Sequence, residues 1–108
     1  FDKAADYAFR AGRRAVGIAA MREAVGQLRL ALAALRRLPE SASRDETESE
    51  VLLLLLTALV SAEGYTSPET QTTYAQADSL CRKIGAVDKL AAVEHGIFRQ
   101  YLVQADYA

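Results

Sequence analysis

Apolar residues along this chain recur at steps of three and four. No stretch alternates strictly between apolar and polar, so the pattern is that of helices and not of half-buried strands. Five helices are predicted. The first runs from about Asp2 to Gly17, with Ala5, Ala8, Phe9, Gly12, Ala15 and Val16 on one stripe and Arg10, Arg13 and Arg14 off it. The second runs from about Ala20 to Leu38, where Ala24, Leu28, Ala31, Leu32, Leu35 and Leu38 form the apolar face and Pro39 stops it. Ser43 and Glu46 stand as a capping box for a third helix from about Arg44 to Ala62, with Gly64 as its left-handed stop. Ser67 is the expected cap of a fourth helix, with Pro68 in its first turn, Tyr74, Ala77, Leu80, Cys81 and Ile84 on its stripe, and Gly85 at its end. The fifth, about 87–103, carries Leu90, Ala91, Val93, Ile97, Phe98 and Leu102. Tyr107 and Ala108 read as the entry to another element.

Short connections make consecutive helices antiparallel neighbours. The expected fold is all-α: one helical hairpin over about 2–38, a second over about 44–85, and a last helix, about 87–103, without its partner. That is the layout of a slice through a helical repeat array.

Composition agrees with helices and a core. Of 108 residues 51% are hydrophobic and 25% charged, which separates the chain from disordered sequences. The net charge of −1 gives no electrostatic reason to expect nucleic acid. Its distribution is uneven, with eight basic and three acidic residues over 1–38 against one basic and eight acidic over 39–80. Neighbouring elements of opposite sign should attract one another. The single cysteine excludes an internal disulfide, and the first residues lack a leader pattern. The longest apolar stretch, Val51 to Ala62, is too short for a membrane span of about 20 residues. A cytoplasmic location is expected, with no membrane partner.

Helical hairpins pack closely where small residues let backbones approach. In the tetratricopeptide pattern one small residue sits midway along the first helix of each hairpin. A small, a large and another small residue follow on the second helix at steps of four and three. Gly12, then Ala24, Leu28 and Ala31, fit these places. Ala58 and the pair Tyr74 and Ala77 fit them in the second hairpin, with Thr70 at the expected small position. Gly96 begins a third set. The chain therefore resembles a tetratricopeptide-like array.

A second resemblance rests on Gly64-Tyr65-Thr66-Ser67-Pro68-Glu69, on Tyr74-Ala75-Gln76-Ala77 and on Leu80-Cys81-Arg82-Lys83-Ile84-Gly85. It also takes in the preceding Glu23-Ala24, Leu28, Ala31-Leu32, Leu35 and Leu38-Pro39. These runs look like the helical C-terminal region of large bacterial signalling ATPases of the STAND class. Those proteins join an adenylate/guanylate cyclase or LuxR-type DNA-binding domain to an ATPase and a tetratricopeptide-like array. Gln76 stands where the pattern has Arg, and Ile84 where it has Leu. The resemblance implies a relay or contact role inside a larger protein and gives this chain no activity of its own. No phosphate-cradling glycine loop of the G-x-x-x-x-G-K-[ST] kind occurs in it.

Few residues suggest chemistry. Cys81 falls on an apolar stripe, where a free cysteine behaves as a small hydrophobe. His95 is the lone histidine, and one His with one Cys is not a structural zinc set. Glu46, Glu48 and Glu50 lack the loop and glycine of a calcium site and suit a helix start instead. No catalytic residue, cofactor or metal is expected. Arg22, Arg29 and Arg36 repeat every seven residues along one face, without interleaved aromatics for base stacking. They read as a solvated face, or one that pairs with the acidic third helix, or a surface for an acidic peptide or a nucleic-acid backbone. Tyr65 and Tyr101 complete the expected contact residues.

The function expected is a non-catalytic protein-contact or signal-relay module, with the first, third and fifth helices lining a concave surface. A small-molecule sensor gating a parent enzyme and a purely structural spacer are the alternatives. The unpaired fifth helix should expose Ile97, Phe98 and Leu102 and drive homodimerisation.

Overall fold

A computed structural model describes residues 7–10 and 21–107, all of whose regular structure is helical. Residues 7–10 are helical, with Ala8 and Phe9 buried. The rest of the predicted first helix, including Gly12, lies outside the described residues. Four helices follow: α1 (Met21–Arg36), α2 (Ala42–Glu63), α3 (Pro68–Ile84) and α4 (Val87–Tyr107).

Each helix packs on the next, and α2 also touches α4. Ion pairs record the directions. Lys83 near the end of α3 meets Asp45 near the start of α2 at 3.1 Å, and Arg82 meets Glu94 of α4 at 2.9 Å. Consecutive helices are therefore antiparallel and alternate ones parallel.

The order follows from the burial each sequence demands. On α1 the buried residues are Ala24, Val25, Leu28, Ala31, Leu32, Ala34 and Leu35, a single stripe flanked by Arg29 and Arg36. On α2, Val51, Leu52, Leu55, Leu56, Ala58 and Leu59 are buried and Leu53, Leu54 and Val60 half-buried. A helix apolar on nearly all sides belongs inside. Here α2 is wrapped by α1, α3 and α4. Leu28, Leu35, Leu52 and Leu59 are fully buried, each contributing about 1.5–3 kcal/mol of transfer free energy.

Two helix boundaries differ from the sequence-based expectation. The cap of α2 is Ser41, not Ser43. Ser41 is extended (φ −160°, ψ 163°), and its Oγ accepts the Arg44 N–H at 3.0 Å. Nothing after Pro39 and Glu40 obstructs a helix, so α2 starts as soon as a capping hydroxyl is available. Glu46, freed from the capping box, reaches Lys89 instead. At the other end of the chain, α4 continues through Tyr107, which therefore belongs to this helix. Ala108 lies outside the described residues.

The remaining caps fall where predicted. Ser67 accepts the Thr70 N–H at 3.3 Å, Pro68 occupies the first turn of α3, and Gly85 closes that helix in the left-handed conformation (φ 69°, ψ 28°). Gly64 has the positive φ expected of it, at 84°, but ψ is 171°. That region is open essentially to glycine alone, and it is not the left-handed helical one.

Candidate functional site

The parallel pair α2 and α4 borders a groove. Leu53, Leu56 and Val60 of α2 face Ala92 and Val93 of α4, and Tyr65 and Tyr74 close the back. Its volume is about 350 Å³, and Thr57 and Ser61 also line it. None of these nine side chains carries a charge.

Two features set the groove's depth. The first is a small residue under a large one. Gly96 is buried on α4 beneath the ring of Tyr74, so close that a β-carbon there would overlap the ring's outer atoms. This brings α4 against α3 and turns Val93 toward the core, where it is 1% exposed. The second is a pair of aromatic rings. Tyr65, in the loop after α2, stacks on Tyr74 with centroids 6.5 Å apart and planes 12° from parallel. Burial first, and the neighbouring Tyr65 second, push the Tyr74 hydroxyl above its ordinary pKa. Tyr74 is thus a core residue, as expected of it.

Polar clamps fix the spacing of α2 and α4 on either side of the groove. Toward the N-terminal ends, the Lys89 ammonium donates to Glu46 at 2.7 Å and to the Ser49 hydroxyl at 3.0 Å. Toward the other end, Gln100 Nε2 donates to the Tyr65 carbonyl at 3.0 Å. Gln100 and Ser49 are both buried, so each bond satisfies a group that water cannot reach freely. These clamps were readable in part: Lys89 and Gln100 share the inward helical phase of Val93 and Gly96, where polar residues are out of place unless paired.

The tyrosines expected as contacts separate. Tyr65 lines the groove. Tyr101, 68% exposed, borders a different hollow, between α3 and α4, with Ile97, Gln104 and Asp78. The arginine stripe is largely engaged within the fold. Arg29 makes a bidentate pair with Glu69 of α3, its Nε at 2.8 Å from Oε2. Arg36 reaches Gln76 at 3.3 Å and Glu48 at 3.7 Å. Its partners thus lie on α3 as well as on the acidic α2. Arg22 borders a hollow beside Glu63.

The acidic start of α2 is also internally matched: Asp45 with Lys83, Glu46 with Lys89, and buried Glu48 with Arg44 at 3.5 Å. Arg44 donates to the Leu38 carbonyl at 2.8 Å and so ties the end of α1 to α2. Among the described residues no group of acidic, histidine or cysteine side chains is placed to hold a metal. Cys81 is fully buried, and burial, outweighing nearby Lys89, holds its thiol pKa up, which keeps it a poor nucleophile. No helix among the described residues is long and apolar enough to cross a membrane.

On α4 the expected exposed face is only partly as read from the sequence. Ile97 is half-buried against the core. Phe98 and Leu102 are exposed, at 59% and 51%. No protein-family model, curated protein or solved structure matches this chain.

Proposed function

We propose that the chain is a protein-contact module of tetratricopeptide-like type, and that its groove between α2 and α4 holds an uncharged, apolar segment of a partner polypeptide. The observation that carries this reading is the groove's lining. Its walls are aliphatic, its back is two stacked tyrosines, and no charged side chain reaches into it. A charged occupant would lose its hydration there with nothing to pair against. An apolar side chain in the same place gains about 25 cal/mol for each Å² removed from water.

The groove is rigid enough for such a role. Its two borders are held by Lys89 on one side and Gln100 on the other, so little ordering of the module is needed on binding. The runs from Glu23 to Pro39 and from Gly64 to Gly85 support a wider reading, in which the module relays signals within a bacterial signalling ATPase linked to a cyclase or DNA-binding output.

The test uses a library of short random peptides panned against the chain. Enriched sequences should carry an uncharged apolar anchor. Thr57→Arg and Ala92→Arg, both at exposed positions on the groove's rim, should weaken the enriched peptides at least tenfold while the melting temperature stays near that of the parent. Enrichment of charged peptides, or binding indifferent to both substitutions, overturns the proposal. A small molecule that raises the melting temperature and loses that effect in the same variants would favour the sensor reading instead.

A further inference from the structure

The outward face of α4 carries a second contact surface, independent of the groove. Ala91, His95, Phe98, Leu102 and Ala105 are all exposed, and they follow one another at steps of four, three, four and three. That is the seam of a two-stranded coiled coil, in which every seam residue faces the partner helix. Four of the five are apolar. The inward phase of α4, with Val93, Gly96 and Gln100, is already occupied by α2 and α3.

Charges flank this seam asymmetrically. Glu94 precedes His95 on one side, and Arg99 follows Phe98 on the other. In a parallel pair of helices those two positions meet across the interface, from one copy's Glu94 to the other copy's Arg99, twice by symmetry. Glu94 is half-exposed, and only its Oε1 is engaged, by Arg82 at 2.9 Å. Arg99 is exposed and has no ionic partner among the described residues. An antiparallel pairing centred on Phe98 would instead lay the two Arg99 side chains beside one another. The polar His95 within an otherwise apolar seam favours one register, because a shifted register would set it against Phe98 or Leu102.

We infer that a second copy of this chain docks on α4, parallel and in register, with Phe98 and Leu102 at the centre and two Glu94–Arg99 pairs at the rim. The seam is short, little more than two heptads, so the dimer is a concentration-dependent one at the small end of specific interfaces.

Sedimentation equilibrium over a wide concentration range tests this on the whole chain. The expected result is a monomer–dimer equilibrium that Phe98→Glu or Leu102→Glu weakens at least tenfold, with helicity by circular dichroism unchanged. Glu94→Arg and Arg99→Glu should each weaken it, and the double exchange should restore it. His95→Cys should form a disulfide-linked dimer under mild oxidation, since only a parallel, in-register pair brings that position within disulfide reach of its copy. Buried Cys81 gives little background in this assay. A monomer at every concentration, a dimer indifferent to Phe98→Glu, failure of the double exchange to restore association, or an unlinked His95→Cys protein would each overturn the inference. Because Thr57 lies on α2, away from this seam, Thr57→Arg lets the groove and the dimer fail separately.

Discussion

Gly96→Ala gives the sharpest check on the packing, because two known effects oppose one another at that position. Alanine in place of glycine within a helix is worth roughly 1 kcal/mol of added stability through backbone entropy. Against this, the new β-carbon would overlap the outer edge of the Tyr74 ring. The ring cannot simply swing away. It is 7% exposed, stacked on Tyr65, and set between α2 and α4. Overpacking of this kind costs about 1–3 kcal/mol. The steric cost should win, leaving a net loss of up to about 2 kcal/mol, or a drop in melting temperature of about 4–8 °C for each kcal/mol. Tyr74→Leu removes the atoms that would be struck, since leucine ends short of the ring's outer edge. In that background the same glycine substitution should reverse sign and stabilise by up to roughly 1 kcal/mol. Urea unfolding followed by far-ultraviolet circular dichroism measures all four corners of the cycle. If Gly96→Ala stabilises the parent, or shifts both backgrounds equally, the close approach of α3 and α4 at this point is wrong.

Two further outcomes concern single residues. Ser41→Ala should cost about 1 kcal/mol through loss of the α2 cap, whereas Ser43→Ala, inside the helix where alanine is the better former, should cost nothing; equal costs in urea unfolding would return the cap to the position read from the sequence. The folded-state pKa values of Cys81 and Tyr74 both lie above their ordinary values of 9.0 and 10.0. Their contribution to stability is thus complete below pH 9 and declines as pH rises through the folded values, because the unfolded chain releases those protons first. Cys81→Ala should lessen the decline that begins near pH 9, and a urea midpoint falling just as steeply in that variant would refute it.

Much of the fold was legible because its signals are local. Ser67-Pro68 and Gly85 are caps whose chemistry depends on adjacent backbone alone, and both fall as predicted. The Ser41 cap was missed because two serines three and five residues upstream of Glu46 both satisfy a capping rule. Only the position of Lys89, 43 residues away from Glu46, shows that this glutamate is engaged elsewhere. The full length of α4 was missed because the large aliphatic residues run out at Val103, and the small and polar residues that follow do not break the helix. For the site, Tyr74 and Gly96 were each legible as packing positions, yet that one rests on the other is a fact of tertiary geometry. The groove itself was hidden in the Leu52–Leu56 run. Periodicity announces that such a helix is buried, and cannot say which of its leucines will be left half-covered.

The central place of α2 also governs how a mechanical disturbance would cross the molecule. α1 and α4 share no contact, and α2 touches both. A tilt imposed on α1 therefore reaches α4 through the packed α2, or through α3 by way of the Arg29–Glu69 and Arg36–Gln76 bonds. The leucine-rich middle of α2 is packed on nearly every side and has little room to deform, so it would move as a rod. Displacement entering at the arginine-bearing helix would emerge as a change in the width of the groove, with Lys89 and Gln100 as the two points about which that width is set.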